Sequence, residues 1–456
     1  MNLSKIDVNE GIDKPLAKLT KPWKLADPTD YAFTNATIID PVEGRSVTGY
    51  VVVTRGGFIK DLVKTNESDL FGYKIIDCTG KFLCPGLFDF HVHMVAVPVE
   101  AGIHGSLRMP KNAMLMRIGV HSRSILERGF TTVRDCGGME NYVAEAIDEN
   151  IILGPRTFFC GRAIGQTGGH GDTRPVVLPS EAYKSCECHL STVSVVADGV
   201  EECMKKTREN FRRGASFIKI MGGGGVASAS GKIENVFFLD SELQTIVDVA
   251  KSYDSFVTAH AYTTKAIKRC ILNGVKGIEH GNMLDDECAK LMAENDCYLC
   301  PTLVTYKVMA SDQFKGFLTP SAEVKNTEVL EKGLESLLVA KKYGVKMCYG
   351  SDLLGNLTAY QSNEFAIRAK VLKPLEILQA ATINPAKIMK VENRLGQIKK
   401  GFYADMLLLN KNPLRDISIL DKPEKHLLFV MKDGLIYHTK WSGVKSDVPT
   451  SLVYDS

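Results

Sequence analysis

The 456-residue sequence predicts an α/β fold: a (β/α)8 TIM barrel carrying a small β-sandwich domain built from both chain ends. Three observations lead there. Between residues 86 and 352 run eight short apolar, β-branched stretches, each followed by a helical pattern or a Gly-rich turn, the rhythm of a closed parallel sheet. Short strands punctuated by turn residues occupy the chain on both sides of that region. Finally, the carboxyl ends of several stretches carry His, Lys or Asp, and a parallel barrel keeps its chemistry at those ends.

In chain order, residues 1–30 are polar, contain Pro15, Pro22 and Pro28, and read as an arm that packs on a neighbour. Residues 31–85 hold strands at 36–39, 51–54 and 74–77, separated by turns such as Arg55-Gly56-Gly57. The barrel domain spans 86–394, with strands at 87–93, 131–135, 156–161, 217–221, 256–260, 277–280, 298–304 and 345–352. Met221-Gly222-Gly223-Gly224-Gly225-Val226 lacks the Lys-Ser/Thr of a nucleotide loop; it predicts a close, mobile approach to substrate, with 222–240 forming part of a lid. Residues 395–456 return to the earlier style, with strands at 406–409, 427–431 and 435–438 and Lys432-Asp433-Gly434 as a hairpin turn. Two β segments flanking a barrel join only if the chain ends meet, which predicts one sandwich from 31–85 and 395–456.

Composition narrows the function. A net charge of +3 with 24% charged residues, and neither a basic block nor an acidic tail, argues against nucleic-acid and anionic-membrane partners. The amino terminus carries charge where a secretory signal needs an apolar core, and no apolar run approaches a membrane span. Twelve scattered cysteines, with Cys136, Cys160 and Cys348 in or beside barrel strands, fit a reduced cytoplasmic setting. The Asn356-Leu357-Thr358 sequon points the same way, since a glycan there would crowd the barrel mouth. Cys186-Glu187-Cys188-His189 has no second Cys pair at zinc-ribbon spacing.

The chemistry begins at Phe88-Asp89-Phe90-His91-Val92-His93. Strand alternation puts His91 and His93 on one face, and Asp89 is placed to orient one imidazole. Ordinary strand histidines would look the same, so the other strand ends decide. They supply Lys219 in Phe-Ile-Lys-Ile-Met, His260 in Thr-Ala-His-Ala-Tyr, His280 in Ile-Glu-His-Gly and Asp352 in Tyr-Gly-Ser-Asp. An unpaired ammonium inside an apolar strand is costly, so Lys219 needs a functional explanation. His104, His121, His189, His426 and His438 lie away from strand ends and read as structural or exposed.

The order His-x-His, Lys, His, His, Asp resembles the binuclear branch of the amidohydrolase superfamily. The lead-in 76–87, Ile-Asp-Cys-Thr-Gly-Lys-Phe-Leu-Cys-Pro-Gly-Leu, and the return 396–406, Gly-Gln-Ile-Lys-Lys-Gly-Phe-Tyr-Ala-Asp-Met, are similar to the family's passages between its small β domain and barrel. Segments 167–172, 197–202, 213–215 and 218–221 resemble the Xaa-Pro and Xaa-Arg dipeptidases and the fungal ochratoxin-hydrolysing amidase.

The resemblance implies two divalent metals, zinc first, with manganese or cobalt also suiting nitrogen and oxygen ligands. It places His91, His93 and Asp352 on one metal, His260 and His280 on the other, and Lys219 between them as an N-carboxylate. A metal-bridging hydroxide would attack the amide of an N-acyl amino acid, a dipeptide or an ochratoxin-like aromatic amide, with Asp352 as general base and acid. His170, in Gly-Gly-His-Gly, and Tyr262 are candidates to polarise the scissile carbonyl, against loop bracing and plain packing respectively. Arg162, Arg174, Tyr306 and Lys307 are candidates for a substrate carboxylate. Carbamate, urea, lactone or phosphoester substrates suit the same metals, and a scaffold that kept the barrel without catalysis is the reading from another class. Family habit and the arm predict a homo-oligomer acting on a small molecule.

Overall fold

The structure is a computed structural model describing residues 16–100, 109–172, 174, 193–228 and 231–448. Within them the chain alternates strand and helix from Leu87–Val92 onward and forms parallel sheets. Leu87–Val92, Phe130–Asp135 and Arg156–Phe159 make one three-stranded sheet. A seven-stranded parallel sheet contains, in order, Ser194–Val196, Ala163–Gly165, Ile218–Met221, Val257–Ala261, Gly277–His280, Tyr298–Cys300 and Lys346–Met347. Hydrogen bonds link the two sheets at both ends. Phe90 N–H donates to Tyr349 O at 2.7 Å and Asp352 N–H to His91 O at 2.8 Å, while Ser216 N–H donates to Phe159 O at 2.8 Å.

Three strand expectations are revised. The stretch expected at 156–161 ends at Phe159, and a separate strand, Ala163–Gly165, follows it. Gly161 breaks it at φ +71, pressed so closely on Asn210 that a Cβ there would lie 2.7 Å from Oδ1. The stretch expected at 298–304 ends at Cys300, because helix Leu303–Met309 begins directly after it. The last stretch is regular only over Lys346–Met347, and its remainder runs as bonded but irregular backbone to Asp352.

The returning helices bury one stripe on these sheets and are capped by short polar side chains. Thr263 accepts from Ala266 N, Asp285 from Cys288 N and Thr319 from Ala322 N, the last ahead of Pro320 in the first turn. Beside the parallel sheets, Phe58–Lys64, Tyr50–Arg55, Tyr31–Thr34 and Lys74–Asp77 form a four-stranded sheet. A six-stranded sheet mixes both ends of the chain: Leu435–Thr439, Leu427–Lys432 and Met406–Leu409, then Phe82–Pro85, Thr37–Asp40 and Arg45–Val47. One apolar cluster, including Tyr31, Phe33, Leu83, Leu408, Phe429 and Ile436, lies between them. The hairpin at 432–435 turns through Asp433 at φ +49 and Gly434 at φ +77, the left-handed pair that a tight two-residue turn requires.

Candidate metal centre

The six strand-end residues converge. His91 lies in Leu87–Val92 with His93 just beyond it, Lys219 in Ile218–Met221, His260 in Val257–Ala261, and His280 closes Gly277–His280. Asp352 arrives on the irregular extension of the last strand, where its backbone N–H is held by His91 O. Its Oδ1 is 3.4 Å from His91 Nε2 and 3.2 Å from His93 Nε2, and its Oδ2 is 3.9 Å from His280 Nδ1. Ring centroids continue the cluster, with His91 5.0 Å from His280 and His280 4.6 Å from His260. Lys219 is 1% exposed, and its charge acts on His91, His260, His280 and Asp352.

Two of these residues sit in backbone conformations that L side chains seldom adopt, His280 at φ +72 and Asp352 at φ +49. At His280 the kink has a visible result. Neighbours on a strand point to opposite faces, yet Glu279 and His280 are both buried toward the cluster, Glu279 against His91 and His280 against His91 and His260.

Each imidazole has one nitrogen occupied by a partner. His91 Nδ1–H donates to Glu279 Oε2 at 2.7 Å, His93 Nδ1–H to Gly137 O at 3.0 Å and His260 Nε2–H to Gly224 O at 3.1 Å, while His280 Nδ1 meets Thr302 Oγ1 at 2.8 Å. A carbonyl or carboxylate accepts only, so these bonds place one proton on each ring and leave His91 Nε2 and His260 Nδ1 as lone pairs, while at His93 the pull of burial is outweighed by Asp352 and Asp135, which raise it, with its Nε2 on Asp352. Burial, then the Lys219 charge, pushes His91 down to about 4, and burial keeps His260 and His280 well below the ordinary imidazole range. Burial pulls Asp352 upward, but His91 and His93 outweigh it and hold the carboxyl at about 2. A neutral imidazole thus turns a lone pair toward an ionised carboxylate, an arrangement that a cation between them resolves. His91, His93 and Asp352 form a group whose ligand atoms all lie within 4.8 Å, as do His91, Cys136 and Glu279. The donor set fits divalent metal.

His170 stacks on His260 with centroids 4.2 Å apart, and its Nδ1 meets Ser228 Oγ at 2.8 Å. Burial and Lys219 push it to about 4. Tyr262 packs against His260 and His280, and its hydroxyl accepts from Tyr306 at 2.9 Å and from the Val226 backbone. Both bonds are accepted by the Tyr262 oxygen, so neither uses the Tyr262 proton.

Asp89 does not orient an imidazole. It accepts from the backbone N–H of His91 and Ser351, from Ser351 Oγ and from Gln361 Nε2, bracing the first and last strands against each other. The acceptor on His91 is Glu279, which sequence reasoning missed; its signal was the carboxylate preceding His280 in Ile-Glu-His, unusable without the kink. Thr302 and Tyr306 were missed as partners of His280 and Tyr262. Arg174 is engaged by Asp172 through Nε and Nη2, each at 2.6 Å, and Lys307 is exposed. His121 is buried at 4% exposure. His104, His189 and the Cys186–Cys188 pair lie outside the described residues. The ten described cysteines are free and buried, and no described helix is long and apolar enough to cross a membrane.

Strand-end imidazoles and carboxylates around a buried lysine, on parallel sheets, define a metal-competent hydrolase centre. The amidohydrolase family pattern matches residues 82–444. Ochratoxinase of Aspergillus niger is 30% identical over 369 residues, covering 78% of this chain and 75% of that protein. A prolidase solved with N-methylphosphonate-L-proline matches with a TM-score of 0.86 at 38% identity, over 90% of this chain and 100% of its own. A Xaa-Pro dipeptidase solved with bound methionine matches at 0.79 and 28% identity, again over 90% and 100%. The chain belongs to the amidohydrolase family and is a hydrolase acting on carbon–nitrogen bonds.

Proposed function

We propose that this hydrolase is a binuclear metal-dependent amidase or peptidase, cleaving the amide of an N-acyl amino acid, a dipeptide or an ochratoxin-like aromatic amide. One observation carries the reading: the buried imidazoles of His91, His93 and His280 gather at Asp352, with His260 beside His280 and the Lys219 charge acting on the same cluster. Relatives named ochratoxinase, prolidase and Xaa-Pro dipeptidase support the bond type.

In this reading His91, His93 and Asp352 would hold one metal and His260 and His280 the other, and Lys219, its neutral amine having added carbon dioxide with loss of a proton, would offer the resulting N-carboxylate to both. When bound, two divalent ions, zinc first and manganese or cobalt after it, supply Lewis acidity and a water of lowered pKa. The chain does the rest. Asp352 takes the proton of the attacking water at its carboxylate and passes it to the leaving nitrogen. The Tyr262 hydroxyl proton and the His170 ring would hold the carbonyl oxygen as charge develops there. The architecture proposed with it is a closed (β/α)8 barrel over 86–394, supported by the hydrogen bonds between the two parallel sheets. The small sandwich of 31–85 and 395–456 and the arm of 1–30 complete it, in a cytoplasmic homo-oligomer.

Metal analysis of protein prepared without chelator should find close to two equivalents per chain. A turnover panel then sets N-acyl amino acids and dipeptides against carbamates, ureas, lactones and phosphoesters. Release of free amino acid supports the proposal; turnover confined to the second group, or no metal, defeats it.

A further inference from the structure

Resting on the metal-centre reading above, we propose that the buried pair Arg134–Glu279 is a positioning device that fixes His91 as its Nδ1–H tautomer and so keeps Nε2 available to the metal. Glu279 and Arg134 are both 0% exposed. Glu279 Oε2 accepts from His91 Nδ1 at 2.7 Å, and Oε1 accepts from Arg134 Nη2 and from Thr258 Oγ1, each at 2.5 Å. Arg134 is held in turn: its Nε donates to Phe90 O at 2.7 Å, its Nη1 to Tyr298 Oη, and its guanidinium lies 3.8 Å from the Phe90 ring centroid and 4.8 Å from that of Phe217.

The chemistry of this column is unusual for its place. The interior of a parallel α/β core is ordinarily filled by branched apolar side chains, and a buried ion pair is commonly no more stabilising than apolar residues of similar volume. An ion pair kept there, with one carboxylate oxygen spent on Arg134 and Thr258 and the other on an imidazole of the centre, controls that imidazole. Arg134 places the carboxylate, and the carboxylate sets the proton of His91.

The neighbouring group of His91, Cys136 and Glu279 does not compete as a metal site of its own. His91 Nδ1 is spent on Glu279, Arg134 lies on the other carboxylate oxygen, and burial pushes the Cys136 thiol up and keeps it protonated.

Glu279→Gln is the informative change. The Arg134 guanidinium can only donate, so the amide oxygen faces it and the amide N–H2 faces His91. His91 must then accept at Nδ1 and carry its proton on Nε2, the wrong tautomer for ligation. The measurement is zinc and cobalt affinity by competition with a chromogenic chelator, with the visible spectrum of the cobalt-loaded protein as a second readout. We expect E279Q to bind about 10–100-fold more weakly and to alter the cobalt spectrum. The pair variant Arg134→Met with Glu279→Leu, which leaves no unpaired charge, is expected to fold and to bind metal more weakly than wild type, by less than E279Q, because His91 is then held in neither tautomer; it decides the matter should E279Q fail to fold. Wild-type affinity in either variant overturns the inference while leaving the metal centre standing. Wild-type protein that binds no divalent metal overturns both.

Discussion

At the scale of single residues, backbone conformation decides more of this centre than residue type. His280 and Asp352 reach the cluster only because each sits at positive φ, a cost that surrounding bonds such as Asp352 N–H to His91 O over-determine. Asparagine visits that region as readily as aspartate. Asp352→Asn should therefore keep the fold, read by an unchanged circular dichroism spectrum, and lose about 10²–10⁴-fold in kcat. An active variant would remove its proposed role in proton transfer. Alternation correctly paired His91 with His93, and it gave no hint of Glu279, because a regular strand would turn Glu279 and His280 to opposite faces.

At the scale of elements, the glycine run after Ile218–Met221 is a packing device. The Gly224 carbonyl holds His260, and Gly225 lies so near His170 that a Cβ would meet its Nδ1 at 2.2 Å. Gly225→Ala should push the His170 ring off His260 and cost about 10²-fold in kcat/KM with metal content unchanged. Activity at the wild-type level would leave His170 a loop brace, the competing role weighed for it from sequence. Within the stretch expected to form part of a lid, 222–240, the two arms are tied to each other: Gly223 bridges Val236, and Phe237 N–H donates to Gly222 O at 3.0 Å.

At the scale of the whole molecule, burial of neutral imidazoles ties stability to pH. Burial, then Arg128, pushes His121 down to about 3, against about 6.5 in an unfolded chain. The unfolded state then binds a proton that the folded state refuses, so this contribution is full above pH 6.5 and is lost as pH falls toward 3. In paired denaturant titrations, the stability of the wild type relative to His121→Leu should hold steady above pH 7 and decline below 6.5. A pH-independent difference would contradict a buried neutral His121. Asp89, raised to about 6 by burial, works in the opposite sense, favouring the fold as pH falls, so the pairwise difference is the clean measure.

The sequence by itself determined the alternation of strand and helix and which side chains stand at the strand ends, because continuous apolar runs, buried on both faces in the fold, and strand-terminal polar residues are written locally, while the family was legible in the resemblance of its motifs. Tertiary structure alone decided which nitrogen of each imidazole is spoken for, that Asp89 braces strands rather than a ring, and that Arg134 and Glu279 stand beneath His91. Those facts depend on groups as far apart in the chain as residues 91 and 279, and on two left-handed backbone kinks. No local pattern encodes either, since both arise only when packing forces distant groups to share one buried volume.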